Sequence, residues 1–186
     1  AQFAAAAAVI RGSGYDAIGL DHFARPHDGL AVAARNGRLR RNFQGYTDDG
    51  LETLVGLGPS SVSRFRQGYA QNVVAMGDYV RRVEARELPI ARGIALSADD
   101  RARSWVIERL MCEYGFSPDE LRARFAQAAM PVLADSARLE NGRPAMLVRR
   151  GGRLEIPAGL QPYVRSVAAQ FDAYLGRGNA RHSRAV

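Results

Sequence analysis

Arg41-Asn42-Phe43-Gln44-Gly45-Tyr46-Thr47, with Leu54-Val55-Gly56-Leu57-Gly58-Pro59-Ser60-Ser61-Val62-Ser63 a few residues on, is the stretch on which the reading of this chain turns. Phe43-Gln44-Gly45-Tyr46 combines an aromatic face, an amide that both donates and accepts, and a glycine that lets backbone approach a ligand. That set suits an adenosyl or amino-acid group, and an ordinary turn fits the same composition. The glycines of 56–61 imitate the start of a dinucleotide fingerprint but fail its test. Ser61 stands where the third glycine belongs, Pro59 interrupts the turn, and no strand-turn-helix unit with a distal acid follows. Tight backbone packing of a strand is the better reading. Ser60, Ser61 and Ser63 have no nearby His-acid pair, so hydrolase chemistry on serine is unsupported.

Composition removes further classes. All 26 basic residues of the 186 are arginine, so neither a Schiff-base lysine nor the phosphate-gripping lysine of a P-loop is available. The single cysteine, Cys112, excludes an internal disulfide and a multi-thiolate zinc site, which makes a reducing cytosol the default; beside Met111 it reads as buried apolar filler. Apolar residues at 47% and charged residues at 24% describe a globular chain, with no apolar run near the roughly 20 residues of a membrane helix. Ala1 to Ile10 is alanine-rich but lacks the preceding basic region of a signal peptide. A first residue other than Met fits a processed terminus or a chain whose beginning lies upstream. The net charge of +7 is concentrated late, with eight arginines against two acids over 143–186. Such an end can meet nucleic acid, an acidic surface or a polycarboxylate, or be a solvated basic face.

Residues 2–11 read as a helix closed by Gly12-Ser13-Gly14, and Tyr15 to Leu20 as a buried strand ending at Asp21-His22. A short helix follows over Asp28 to Arg38. Gln67 to Arg86 reads as a helix with Val73, Met76, Val80 and Val83 on one packing stripe. Ser97 opens a helix that ends at Gly115, and Ser117-Pro118-Asp119-Glu120 gives a second N-cap with proline at the first position. A third helix spans about Val132 to Leu139. Ala145 to Val148 and Arg153 to Ile156 flank Arg149-Arg150-Gly151-Gly152, a hairpin signal, and a last helix runs from about Ala158 to Leu175. Three helices and a hairpin follow the order of a winged helix-turn-helix.

Together with Gly19-Leu20-Asp21-His22-Phe23-Ala24-Arg25-Pro26 and Asp172-Ala173-Tyr174-Leu175, the Arg41–Thr47 motif resembles the oxygen-independent coproporphyrinogen III oxidases over almost the whole chain. These are radical S-adenosylmethionine (SAM) enzymes of heme biosynthesis that convert two propionates of coproporphyrinogen III to vinyl groups, giving protoporphyrinogen IX, through a 5′-deoxyadenosyl radical. The resemblance implies a fold of α/β plus mainly α type, the final helix-strand piece of an incomplete radical SAM barrel followed by a helical C-terminal domain with a winged-helix-like β-hairpin. Its divisions would be 1–66, the barrel end and cofactor-pocket motifs; 67–96, a linking helix; 97–175, the helical domain with its hairpin at 145–156; and 176–186, a polar, mobile tail.

By the same resemblance Phe43, Gln44 and Val62 contact S-adenosylmethionine, Val62 as an aliphatic wall that would serve equally as core. The family's [4Fe-4S] cluster is held by C-x3-C-x2-C, which these residues lack, so the chain alone is expected to be inactive and its partners to be the substrate and the remaining barrel of the same enzyme. A cytoplasmic monomer without membrane contact is implied. Asp21 and His22 lie at the carboxyl end of the presumed strand, where barrels place active-site groups, so His22 could line a site; strand neighbours point to opposite faces, which argues against a direct Asp-His dyad. His27 and His182 read as solvated, and no set of metal ligands is evident. The related heme chaperones, and a nucleic-acid-binding winged helix using Arg149, Arg150 and Arg153, are the alternatives; Asp135 and Glu140 in the would-be recognition helix oppose the second.

Overall fold

The computed structural model describes residues 2–175, which divide into two compact units, one of 2–49 with 98–175 and the other of 50–97. The boundaries fall after Asp49 and Ser97, and not after residue 66. The tail 176–186, with His182, lies outside the described residues.

The alanine run forms α1 (Gln2–Gly12). The next segment departs from the expected buried strand over Tyr15–Leu20: β1 (Asp16–Ile18) is three residues long and pairs antiparallel with β2 (His22–Ala24), Ile18 facing His22 in register. Gly19 causes the reversal. Its φ is +54°, and an added Cβ would sit 2.1 Å from Cζ of Tyr46, so both the backbone and the space demand glycine. Ile18 is buried while Ala17 is exposed, as a hairpin strand with one covered face requires. No closed barrel is present among the described residues, whose strand pairs are all antiparallel. α2 (Gly29–Arg35) starts where Asp28 Oδ1 accepts from the Leu30 N–H at 2.9 Å and ends at Asn36. A second hairpin follows, β3 (Arg40–Arg41) with β4 (Tyr46–Thr47).

In the second unit β5 (Val62–Phe65), β6 (Gly68–Asn72) and β7 (Ile90–Ala95) make an antiparallel meander, with α3 (Met76–Glu84) between the last two strands. The helix expected over Gln67–Arg86 therefore exists in its second half alone. Gly68 explains the loss of the first half: a Cβ there would fall 2.0 Å from the Ile94 carbonyl oxygen, so this position is built for close strand pairing. Val73 is buried at the strand end, its N–H donating to Pro89 O, whereas Met76, Val80 and Val83 of the supposed packing stripe are exposed. The glycine-rich loop before β5 is tied down by polar side chains. Asn72, buried, donates from Nδ2 to the carbonyls of Gly56 and Gly58, Ser63 Oγ accepts from the Gly56 N–H, and Tyr79 Oη accepts from the Gly58 N–H. A strand and not a helix follows this loop, in keeping with the rejected dinucleotide fingerprint.

The first unit resumes with α4 (Ala98–Glu113), β8 (Gly115–Phe116), α5 (Pro118–Phe125), α6 (Ala129–Asn141), β9 (Val148–Arg150), β10 (Arg153–Glu155) and α7 (Val164–Ala169). Tyr114, at φ +57°, ends α4, and Gly115 belongs to a strand the sequence did not announce, where a Cβ would meet Leu154 O at 2.7 Å. β8 completes a sheet of order β8-β10-β9. The hairpin turn is Gly151-Gly152, both at positive φ, and the Ser117 cap accepts from the Glu120 N–H as its spacing requires. The helix expected over Ala158–Leu175 is broken: a 3-10 segment, Ala158–Tyr163, carries Pro162 and precedes the six-residue α7.

Val106, Leu110, Phe116, Leu121, Leu154 and Phe171 lie at the centre of the main core, where Phe116 meets Phe171 edge to face at 6.3 Å. Arg103 ties the core's edge together, pairing with Asp99 and Asp135 at 2.7 Å each and donating to the Phe171 carbonyl at 3.3 Å. Desolvation disfavours its charge, but the two carboxylates outweigh that and hold its pKa above the usual arginine value. Replacing Phe171 with Ala should cost about 3–5 kcal/mol of stability. Urea unfolding followed by the fluorescence of Trp105, the chain's one tryptophan, measures this.

Candidate functional site

The Arg41–Thr47 motif folds into the β3–β4 hairpin because Asn42 closes it. Asn42 Oδ1 accepts from the N–H groups of Gln44 and Gly45 at 2.8 and 3.2 Å, and its own N–H donates to Gly45 O at 2.9 Å. Gly45, at φ +143°, supplies the backbone conformation the return requires. Phe43 and Gln44 are thereby carried at the exposed tip, the ring 59% exposed. The hairpin root is anchored to α4: Arg41 N–H donates to Glu108 Oε1 at 3.2 Å, and the Arg40 guanidinium to Glu108 Oε2 at 3.1 Å.

Tyr46 points the other way, into the unit. Its hydroxyl accepts from the Leu20 N–H at 3.0 Å and donates to the Met111 carbonyl at 2.9 Å. The Arg41 guanidinium lies 5.8 Å from the centre of its ring. Burial pushes the phenol pKa up, the Leu20 hydrogen bond partly opposing it. Tyr114, which donates to Gly19 O, is pushed up by burial to about 12, and burial likewise lifts the Cys112 thiol to about 12.

His22 stands edge-on to Tyr46, ring centres 5.1 Å apart, with Gly45 beside it. Contrary to expectation, Asp21 and His22 do form a direct pair, Oδ1 to Nδ1 at 2.9 Å. The alternation rule fails because β1 has ended at Ile18 and Asp21 sits in the turn, where neighbouring side chains can converge. Asp21 Oδ2 also accepts from Arg165 at 3.4 Å. Fixing Nδ1 on the carboxylate leaves Nε2 to exchange a proton with a ligand, and the half-exposed ring makes that feasible.

The structure thus gathers Phe43, Gln44, His22 and Asp21 around one hairpin of the first unit, while Val62 opens β5 of the second. Sequence reasoning missed Tyr46 as organiser and the Asp21–His22 pair. The glycine at 19 was the available signal for both, since it reverses the chain under the Tyr46 ring.

An S-adenosylmethionine molecule asks for an aromatic face, amide polarity and open backbone, and the exposed Phe43-Gln44-Gly45 tip offers all three. An iron-sulfur cluster asks for thiolates, and the residues do not fit it: Cys112 is buried with a pKa near 12, and no group of three His, Cys, Asp or Glu side chains converges among the described residues. No helix among the described residues is long and apolar enough to cross a membrane.

Changing Tyr46 to Phe should cost about 1–3 kcal/mol, since the Leu20 N–H and Met111 C=O lose their partner, as measured by urea unfolding. The raised pKa values of Cys112 and Tyr114 set a pH dependence. Between their unfolded values of 9.0 and 10.0 and about 12, the unfolded chain gives up protons that the folded chain keeps, so stability falls as pH rises through that window. The urea midpoint should be lower at pH 10.5 than at pH 8, and the Cys112→Ser variant should show a smaller drop.

No family model matches the chain. Among curated proteins it is 44% identical over 186 residues to an oxygen-independent coproporphyrinogen III oxidase of Bradyrhizobium diazoefficiens, covering 100% of this chain and 41% of that protein. It is 43% identical over 183 residues to one of Cereibacter sphaeroides, covering 97% and 40%. Among solved structures, the Escherichia coli coproporphyrinogen III oxidase, described as a radical SAM enzyme, matches with a TM-score of 0.82 at 34% identity over 91% of this chain and 40% of that one. The chain spans about 40% of the length of the relatives it matches. On this likeness the chain belongs, as a portion, to the oxygen-independent coproporphyrinogen III oxidase family.

Proposed function

We propose that this chain is the C-terminal portion of an enzyme that oxidatively decarboxylates coproporphyrinogen III to protoporphyrinogen IX in the cytoplasm, acting as a monomer when full length. The observation that carries the reading is the Asn42-closed hairpin, which holds Phe43 and Gln44 outward on a base fixed to α4. S-adenosylmethionine, when bound, supplies the one-electron chemistry. Phe43 would stack on its adenine or sulfonium side, and Gln44 would hydrogen-bond its polar end. The Asp21–His22 pair would hold a proton near this tip. Cluster thiolates must come from outside these residues, in the barrel portion that the relatives' greater length accommodates.

In this reading 97–175 holds a winged-helix-like module over the substrate. Support for this point is the order α4, β8, α5, α6, β9, β10 with its β8-β10-β9 sheet. The same order would suit nucleic acid, but two of the three arginines concerned are engaged internally. Arg149 makes two 3.2 Å bonds to Glu140, and Arg153 is 3.0 Å from Glu113.

A chimera tests the proposal: the chain replaces the corresponding C-terminal portion of the Bradyrhizobium relative, and anaerobic conversion of coproporphyrinogen III is followed. Conversion is expected, with a loss of at least 100-fold, about 2.7 kcal/mol of barrel-scale transition-state stabilisation, in the Phe43→Ala and Gln44→Ala chimeras. A folded chimera with no conversion, or alanine variants as active as their parent, would refute it.

A further inference from the structure

Beside α4, away from the hairpin tip, a cavity of about 270 Å³ opens in the first unit. Four arginines line it, Arg40, Arg109, Arg124 and Arg153, against two acids, Glu113 and Glu120. Glu113 serves both Arg109 and Arg153, and Glu120 takes Arg124 at 2.8 Å. Arg40 is answered by Glu108 at 3.1 Å and Arg153 also by Glu155 at 3.8 Å, so it is within the lining itself, with both of those carboxylates outside it, that arginine outnumbers acid.

Arg109 is the unusual member. Its side chain is only 9% exposed, one terminal nitrogen donates to Glu113, and the other donates to Leu39 O at 3.0 Å, but its Nε–H is buried without an acceptor. A charged donor left so is unfavourable, and a small shift of the Arg109 side chain towards an oxygen ligand in the cavity would relieve it. Trp105 and Phe116 supply apolar wall, and Arg124 lies over the indole at 5.9 Å.

We propose that this cavity is a binding site for a small free oxyanion, a phosphate or short dicarboxylate, gripped by Arg109, Arg124 and Arg153. Forked guanidinium donors match planar or tetrahedral oxyanions, and the volume admits an anion of a few heavy atoms and not a large cofactor. The site is independent of the hairpin chemistry and stands or falls separately from it.

Trp105 lies in the cavity wall and reports on its contents. The 186-residue chain is titrated with inorganic phosphate and, separately, with succinate, at ionic strength held constant with sodium chloride, by fluorescence and by calorimetry. A saturable response to either anion above the chloride control is expected, phosphate alone or succinate alone identifying the class and both identifying the shared oxyanion chemistry. Arg153→Gln and Arg124→Gln should each weaken binding at least tenfold by calorimetry while keeping the parent's far-ultraviolet circular dichroism. Absence of a saturable response to both anions, or affinity unchanged in both folded variants, overturns the site.

Discussion

The Tyr46 hydroxyl is the point on which the first unit depends. One phenol accepts from the Leu20 N–H and donates to the Met111 carbonyl, so a turn, a hairpin and the last part of α4 share a single buried polar contact. Both bonds are half-buried, and losing them would cost more than a typical surface ion pair contributes. Glycine at 19 is the other half of this constraint, because only a residue without Cβ admits the ring. Tyr114 secures the same turn from α4's end by donating to Gly19 O.

From that contact the site acquires its directions. With Tyr46 turned inward and Asn42 closing the loop, Phe43 and Gln44 between them face out at the hairpin tip. Because the turn ahead of β2 is short, the Asp21 carboxylate meets Nδ1 of the next residue, His22. An exposed Phe43-Gln44 tip and an Asp21–His22 pair thus arise from the geometry of two small hairpins.

Arginine as the sole basic side chain shapes the rest. Forked donors let one carboxylate serve two partners, as Glu113 does with Arg109 and Arg153, and let one cation bind two carboxylates, as Arg103 does with Asp99 and Asp135. The hairpin arginines that sequence alone would offer to a polyanion are partly spent on such pairs. What survives is the cavity beside α4, whose lining has four arginines to two acids and where one buried N–H is left over.

Local signals were legible wherever a few neighbouring residues decide the outcome: the helix start at Asp28, the cap at Ser117, the Gly151-Gly152 turn, and the motif that marks the family. Where two segments distant in sequence must meet, the chain read alone was misleading. The stripe from Val73 to Val83 drew the expected helix back to Gln67, yet Gly68 beside the Ile94 carbonyl makes 68–72 a strand, and Gly19 beneath Tyr46 turns an expected barrel strand into a hairpin. The sequence by itself determined the family, the cap positions and the absence of cluster thiolates from these residues, because residue identity and short spacing suffice for those. Tertiary structure alone decided that Asp21 meets His22, that Tyr46 joins a turn to a helix, and that four arginines line one cavity. Each of those depends on which backbones approach closely enough to exclude a side chain, a property of the assembled fold and not of any one segment.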